Sequence, residues 1–315
     1  MENLAMINSV VLAEYLIIAS IILMIVNFLV TLFSLILRSD VLYNDSGNHF
    51  YANIVLLAFE VIFIIFTAII FSTEELFQLL ALPIISCSVM FTLMLIWNFI
   101  QMRGLSTRTM EILETLVGII EAGDENLDGH SLHVQNLTML LYDYLPFFDR
   151  QKINPMNLQY ASLFLDIGKL GIPRNIIDKK GKLTAKEKEL IQRHPEICVE
   201  LFERLPSFTM VTFWVKYHHE RVDGNGYYHL KGEEIPLASR ILAIADTYSA
   251  ITMDRSYRPS LPYENAVAEL RLVSGSQLDA KLVELFCSIP RTKVSACMDD
   301  VRNRMKKYQS GDFRW

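Results

Sequence analysis

Three long apolar stretches occupy the first third of the chain and constrain its fold more than any other feature. Residues 15–37 and 76–100 carry no charged side chain, and residues 51–73 carry only Glu60. About 20 consecutive apolar residues are enough for a helix to cross a bilayer. The sequence therefore predicts a membrane region at 1–103, with transmembrane helices at about 10–37, 51–73 and 76–101.

The charged residues that flank these stretches predict their orientation. Arg38 follows the first stretch, Arg103 and Arg108 follow the third, and Glu74 and Glu75 lie between the second and the third. Because basic residues concentrate on the cytoplasmic side, the N-terminus is expected outside and everything beyond residue 101 in the cytoplasm. No basic residue precedes the first stretch, so a cleaved signal peptide is not expected.

Beyond residue 103 the sequence predicts an all-α protein. Apolar residues recur at intervals near 3.6, and no alternating pattern typical of strands extends beyond a few residues. We predict a connecting helix at 104–122, a helical domain at 123–290 and a basic C-terminal helix or tail at 291–315. The expected helices of the domain are 132–145, 158–165, 184–205, 208–217, 237–251, 263–272 and 280–289.

The connecting helix carries one apolar stripe, and the pattern allows two partners for it. The stripe could pack on a second copy of the chain, which gives a homodimer through residues 106–122, or on the domain that follows. Two heptads are too few to separate these alternatives. The stripe consists of Met110, Leu113, Leu116, Val117 and Ile120.

Net charge and cysteine content exclude some functions. The net charge is −6, so the chain lacks the basic excess that nucleic-acid binding requires, and no nucleic-acid partner is expected. The cysteines form no closely spaced pair, and three fall in the part predicted to be cytoplasmic, where thiols stay reduced. All are expected to be free: Cys87, Cys198, Cys287 and Cys297.

Carboxylates and imidazoles interrupt the apolar segments of the predicted domain. "SLFLDIGKLGIP" ends an apolar run with Asp166, and "ILAIADTYSAIT" places Asp246 inside another. A buried carboxylate is unfavourable unless a cation pairs with it, and Lys169 could be that cation for Asp166. Taken alone, each residue is more often a hydrogen-bonded core residue than a ligand. Together they predict a divalent metal site formed by His130, Asp166, His194, His218, His219 and Asp246.

The order of the motifs resembles that of the HD-GYP family over residues 123–289. These motifs are His130, "LDIGKLGIP", His194, "HHERVDGNGYY" and "ADTYSAITMDRSYR". The resemblance implies an HD-superfamily helical domain that hydrolyses cyclic di-GMP in bacteria, here anchored in the inner membrane. It implies one or two ions of Fe or Mn, with Asp166 and Lys169 as catalytic residues. It also implies that Lys169, Arg255 and Arg258 hold the phosphates or guanine of the substrate.

Several positions depart from the family pattern. The His-Asp dyad reads Leu165-Asp166, and leucine has no donor atom, so one metal ligand is missing. The milder departures are Tyr228 for Pro in the Gly-Tyr-Pro motif, Ser249 for a second Asp, His133 for Arg, and Asn126 for the Glu of members with a third metal. Cys198, on the same predicted helix face as His194, could substitute as a ligand, although a buried core thiol is the more common role.

The departures leave three functions open. The chain could be a membrane-bound cyclic di-GMP phosphodiesterase with a modified site, with a diguanylate cyclase as a partner in signalling. It could be an impaired domain that binds the nucleotide or a protein without hydrolysis. It could also be an HD-type hydrolase of another nucleotide. Metal content separates the first two, since two ions per chain favour the enzyme and one or none favours the binding role.

Overall fold

The structure is a computed structural model that describes residues 108–122, 128–179, 181–253 and 259–310. The predicted membrane region, with its three spans and Glu60, lies outside the described residues, as do Arg255, Arg258 and Asn126. None of the helices in the described ranges has the length and apolar character needed to cross a bilayer.

The described residues are helical and contain no strand, apart from an isolated bridge between Ser274 and Leu278. Short 3-10 turns cover Ile167–Gly171, Pro206–Phe208 and Gly232–Glu234. The helices are α1 (108–122), α2 (His130–Tyr144), α3 (Phe147–Arg150), α4 (Pro155–Phe164), α5 (Arg174–Ile177), α6 (Ala185–Gln192), α7 (His194–Phe202), α8 (Thr209–Lys216), α9 (Leu237–Thr252), α10 (Tyr263–Leu272), α11 (Ala280–Ser288) and α12 (Arg291–Ser310).

The all-α prediction is confirmed for the described residues, with one predicted helix divided in two. The stretch 184–205 forms α6 and α7, which meet at Arg193. Pro195 causes the break, because it has no N–H to donate to the carbonyl of Ile191 and its ring would clash with that carbonyl in a continuous helix. Proline fits the first turn of a helix, so α7 begins at His194.

Two apolar clusters hold the helices together. The larger one joins α2, α4, α8, α9 and α11. The smaller one joins α1, α2, α4 and α12. Burial of this apolar surface is the main stabilising contribution to the fold. Fully buried members of the larger cluster include Leu137, Leu158, Leu165, Val215, Ile241, Ile244 and Phe286, and buried members of the smaller one include Met110, Leu132, Val301 and Met305.

The basic C-terminal segment packs on the domain as a long helix. Val301 and Met305 bury their side chains in the smaller cluster. Arg304 Nη1 lies 2.6 Å from Glu114 Oε2 of α1, which ties the two ends of the domain together. The buried side chains of Val301 and Met305 and the ion pair of Arg304 therefore place α12 against α1 and α2.

The predicted stripe on α1 is divided between two surroundings. Met110 and Val117 are buried in the smaller cluster, so part of the stripe packs on the domain that follows. Leu116 and Ile120 are 52% and 47% exposed. Ile112, which the stripe did not include, is also exposed on α1. The helix therefore buries one apolar face and presents a second one.

Glu121, at the end of α1, anchors the start of α2. Its side chain is buried, and Oε1 and Oε2 lie 3.1 and 3.2 Å from the backbone N–H of Ser131, which donates to them. Burial raises the pKa of this carboxyl to about 7, although the bond from Ser131 and the nearby His130 ring oppose the shift. Glu121 therefore fixes the N-terminus of the helix that carries His130.

Replacing Glu121 by glutamine is expected to remove a pH dependence of stability. The native carboxyl binds its proton more tightly than an ordinary Glu, so the stability that it contributes is present below pH 4.5 and is lost as pH rises through about 7. The melting temperature of E121Q should therefore exceed that of the parent by several degrees at pH 8 and match it near pH 4.5. The control is E111Q, which changes an exposed glutamate of the same helix. A difference between E121Q and the parent that does not depend on pH would contradict the raised pKa of Glu121.

Candidate metal centre

The predicted ligands come from separate elements that the helical packing brings together. His130 is the first residue of α2, and His194 is the first residue of α7. Asp166 lies between α4 and the 3-10 turn Ile167–Gly171. The pair His218-His219 follows α8 after the single residue Tyr217, and Asp246 lies within α9. All six therefore sit at helix ends or on the buried face of a helix.

These residues form two groups, each with donor atoms within 4.8 Å of one another. The first group is the histidine group, and the second combines His130 with the two carboxylates. Imidazole and carboxylate donors in such sets suit transition-metal ions. The histidine group is His194, His218 and His219, and the mixed group is His130, Asp166 and Asp246.

The imidazoles of His194 and His218 are oriented by backbone carbonyls. His194 Nδ1 lies 2.8 Å from the carbonyl oxygen of Ile191, the same carbonyl that Pro195 cannot engage. His218 Nδ1 lies 2.5 Å from the carbonyl oxygen of Val215. A histidine that donates Nδ1–H to a carbonyl presents the lone pair of Nε2, which is the arrangement found at metal ligands.

The opposite ring nitrogens support this assignment. Nε2 of His194 and Nε2 of His218 are both buried and have no hydrogen-bond partner among the described residues. Burial lowers the pKa of His194 to about 4 and also lowers that of His218, so both rings stay neutral at physiological pH. Burial and the adjacent His218 ring hold the pKa of His219 well below its usual value. Neutral rings with free lone pairs fit a metal ion.

His130 lies between the two carboxylates of the mixed group. Its Nε2 is 3.1 Å from Asp246 Oδ1 and 3.5 Å from Asp166 Oδ2. Burial acts to lower the pKa of His130, but the two carboxylates outweigh it and raise the pKa to about 9. A proton on this ring competes with a cation for the same carboxylates, so metal binding there should release a proton.

Asp166 connects the two groups. Its Oδ1 lies 3.6 Å from His194 Nε2, while its Oδ2 faces His130 at 3.5 Å. Lys169 Nζ also lies 2.7 Å from Oδ2, so the ion pair weighed above as an alternative to a metal is present. Burial would raise the pKa of Asp166, but Lys169 and the two histidines hold it well below its usual value. The carboxylate is therefore ionised, and its two oxygens face ring nitrogens of His130 and His194 on opposite sides.

A glycine permits the close approach of the Asp166 turn to α7. A Cβ atom added at Gly168 would lie 1.9 Å from the backbone oxygen of His194. That oxygen belongs to the main chain of α7 and cannot move as a flexible side chain can. The glycine of "DIGK" therefore brings Asp166 and His194 into one site.

A cavity of about 360 Å³ opens beside His219 and Asp246. Tyr227 lines it, with its ring centroid 4.9 Å from that of His219. Glu220 is buried below this loop and accepts hydrogen bonds of 2.6 Å from the N–H groups of Tyr228 and Leu230. The "GNGYY" segment is thereby held next to the metal centre as one wall of the cavity.

Lys169 lines a different cavity, of about 80 Å³, on the Asp166 side of the site. Glu121 and Arg174 also line it. The proposed ligands thus lie between two cavities of different size.

Leu165 and Cys198 supply no ligand in the described structure. Leu165 is completely buried in the larger apolar cluster, together with Val215 and Ala245, the neighbours of the α8 end and of Asp246. The Cys198 thiol is also buried, with Sγ 3.7 Å from the carbonyl oxygen of Phe164, and burial raises its pKa to about 12. A thiol of that pKa is protonated, so Cys198 is a core residue here.

Two of the departures from the family pattern contact each other. His133 Nδ1 lies 3.0 Å from Ser249 Oγ, and the same hydroxyl lies 2.9 Å from His130 Nδ1. Ser249 therefore connects the ligand His130 to His133. These residues were noted separately in the sequence, where nothing indicates that they are neighbours.

The structure brings all six predicted ligands and Lys169 together. It says nothing of Arg255 and Arg258, which lie outside the described residues. Sequence reasoning did not assign roles to Glu121, Glu220 or Tyr227. For Glu220 and Tyr227 the signal was their place beside the His-His pair in "HHERVDGNGYY"; Glu121 has no comparable motif.

The helical fold and the candidate metal ligands lie in a segment that matches a known family. Residues 133–282 match the family model described as HD domain. The match covers α2 from His133 to α11 and includes all the predicted ligands except His130, which precedes it. Residues 133–282 are therefore similar to HD domains.

Several relatives that match part of this chain are named as phosphodiesterases. A "Cyclic di-GMP phosphodiesterase" of Vibrio cholerae is 34% identical over 197 residues, which cover 58% of this chain and 40% of that protein. A "3'3'-cGAMP-specific phosphodiesterase 3" of the same organism is 35% identical over 161 residues, or 50% of this chain and 34% of the relative. The chain thus spans less than half the length of either relative.

A solved structure of cyclic GMP-AMP-specific phosphodiesterases from V. cholerae is also similar. It has 19% sequence identity and a TM-score of 0.46, over 62% of this chain and 53% of that one.

Proposed function

We propose that this protein is a membrane-anchored, metal-dependent phosphodiesterase that hydrolyses cyclic di-GMP to pGpG or GMP. The observation that carries the proposal is the position of Asp166, whose two oxygens face His130 and His194 in separate ligand groups. A carboxylate with one oxygen toward each group could contact two ions at once, which supports a two-metal hydrolytic site. The names of the matched relatives support a cyclic dinucleotide as the substrate.

The donor set fits Fe or Mn. His194, His218 and His219 would hold one ion, and His130 and Asp246 would hold a second, with Asp166 between them. Bound divalent ions supply a hydroxide at neutral pH and polarise the phosphoryl oxygen. The Nε2 atoms of His194 and His218 are buried without a hydrogen-bond partner among the described residues, which supports a metal ion as their partner.

The chain's own residues would bind and orient the substrate. Lys169 places a positive charge beside Asp166, where it can neutralise the anionic diester and the leaving oxygen. Tyr227 offers a flat aromatic wall in the larger cavity, against which a guanine base can stack. Arg255 and Arg258 remain proposed phosphate or guanine contacts, since arginine suits phosphate geometry.

The test is hydrolysis by the full-length chain with added Mn²⁺ or Fe²⁺. Cyclic di-GMP and 3'3'-cGAMP are supplied separately, because relatives named for each nucleotide match part of this chain. Formation of pGpG or GMP from cyclic di-GMP, lost in H219A, is the expected result. Preferential hydrolysis of 3'3'-cGAMP would show that cyclic di-GMP is not the substrate, although the reaction is still phosphodiester hydrolysis. The chain would then have the third function considered above, an HD-type hydrolase of another nucleotide.

Leu165 favours one alternative, an impaired domain that binds nucleotide or protein. Its buried aliphatic side chain leaves the centre without the donor that the family pattern places there. Binding of cyclic di-GMP without turnover in the same assay, with no more than one metal ion per chain, would establish this regulatory role instead. In either case a diguanylate cyclase, which makes the ligand, is the expected signalling partner.

The exposed face of α1 supports a homodimer. Ile112, Leu116 and Ile119 are 60%, 52% and 47% exposed and follow one another at spacings of four and three residues. This spacing suits the seam between two parallel helices. We propose that residues 106–122 of two chains pair along this face, with each chain anchored in the inner membrane of a bacterium.

Reporter fusions test the proposed membrane topology. With three spans and the basic residues inside, fusions after residues 45, 75 and 110 should report inside, outside and inside. The fusion after residue 45 serves as the internal reference for the cytoplasmic signal. An outside signal from the last fusion would refute a cytoplasmic catalytic domain.

A further inference from the structure

A third cavity, of about 190 Å³, is lined by none of the proposed metal ligands. His133 lines it from α2, Tyr263 from α10, and Ser295 and Arg302 from α12. One water requires only about 10–15 Å³, so the cavity has room for a small polyatomic ion. Nothing in the proposed hydrolysis uses this space.

His133 has a buried polar atom at this cavity. The residue is 1% exposed, and its Nε2 has no hydrogen-bond partner among the described residues. Its Nδ1 is already engaged, at 3.0 Å from Ser249 Oγ. A buried polar atom without a partner is unfavourable, so Nε2 indicates a ligand that the cavity receives.

The hydrogen-bond chain gives Nε2 of His133 its hydrogen. When His130 binds a cation through Nε2, its Nδ1 carries the hydrogen and donates it to Ser249 Oγ, 2.9 Å away. The hydroxyl then donates its own hydrogen to His133 Nδ1, a better acceptor than the Met253 thioether at 3.3 Å. His133 therefore presents an N–H donor to the cavity.

The charged residues around the cavity favour an anion. Arg302 and Arg291 line it, against the single carboxylate of Asp299. Arg302 Nη1 is 3.9 Å from Asp299 Oδ1, and Arg291 pairs with Glu264; both pairs are largely exposed. Exposed ion pairs are weak, so Arg302 and Arg291 can both leave these partners to bind a ligand. An oxyanion that accepts hydrogen bonds from His133 and Arg302 together would give the buried Nε2–H of His133 its partner.

We propose that this cavity binds a phosphate-type oxyanion, either inorganic phosphate or the phosphate group of a nucleotide, through His133, Arg302 and Ser295. Arginine and a neutral N–H donor suit the tetrahedral oxygens of phosphate. The direction of the hydrogen bonds rests on the metal centre of the proposed function, whereas phosphate binding itself does not require hydrolysis.

The test is titration of the full-length chain with inorganic phosphate, followed by equilibrium dialysis and by the melting temperature at matched ionic strength. The parent should bind phosphate and melt at a higher temperature. R302Q and H133F should each weaken binding at least about tenfold, since each removes a hydrogen bond to a charged group. K306Q, an exposed change on the same helix outside the cavity, and H219A, a change in the metal centre, should retain the parent affinity.

The outcomes separate this cavity from the metal centre. No binding in the parent, binding lost in H219A but kept in R302Q, or equal loss in R302Q and K306Q would each overturn the inference. Guanosine 5′-monophosphate is titrated in parallel. If the parent binds both ligands and R302Q weakens both, the cavity recognises the phosphate group itself. If the parent binds only the nucleotide and R302Q weakens that binding, the cavity recognises a nucleotide phosphate. A chain that binds phosphate in this way but hydrolyses no cyclic dinucleotide would refute the proposed function alone.

Discussion

Replacing Leu165 by histidine is expected to increase the metal bound per chain and to raise or create cyclic di-GMP hydrolysis by at least about 10- to 100-fold. Loss of a residue that merely supports a ligand already reduces metal affinity or activity by about that factor, and position 165 would supply a ligand itself. Leu165 directly precedes Asp166 and shares its apolar cluster with Ala245, the neighbour of Asp246. An imidazole there would come from the same chain segment as Asp166.

Elemental analysis and hydrolysis of matched variants check this expectation. L163H introduces histidine into another buried position of α4 and should disturb packing without adding metal. D166A should remove metal, because it deletes the carboxylate between the two ligand groups. If Asp166 serves only as the ion-pair partner of Lys169, L165H will bind no more metal than the parent. Absence of metal from the parent, L165H and D166A alike would refute the metal centre.

Replacing Gly168 by alanine is expected to abolish metal binding and to lower the melting temperature by about 2–12 °C. The added methyl group would lie 1.9 Å from the backbone oxygen of His194, so either the Asp166 turn or α7 has to move. Overpacking of this kind destabilises a core by about 1–3 kcal/mol, and each kcal/mol shifts the melting temperature of a domain of this size by about 2–4 °C. The movement separates Asp166 from His194.

Gly181 provides the matched control for this change. A Cβ atom at Gly181 would meet nothing within 4 Å, so G181A should keep the metal content and the melting temperature of the parent. Both variants are compared by metal analysis and thermal melting. Full metal content in G168A would show that the two segments do not need this close approach.

Local sequence patterns were sufficient to predict most of the helices. The apolar period predicted α10 at its observed bounds. Residues on one face of a helix recur every three to four positions, and this spacing depends only on the geometry of that helix. The ligand set was predictable for a related reason. Each ligand interrupts an apolar segment or adjoins a turn, and the order of the motifs resembles that of one family. The division of 184–205 was also readable in principle, because Pro195 causes it locally.

The helical character of the chain and the identity of its candidate ligands could therefore be predicted from local patterns. The tertiary structure alone decided which of these residues meet. Asp166 faces both ligand groups because α2 and α7 approach its turn from two sides. His133 and Ser249 form one hydrogen-bonded pair although 116 positions separate them along the chain. The stripe on α1 divides because α12 covers only one side of that helix. Such contacts depend on how distant helices pack, and the periodicity of a single segment carries no information about its partners.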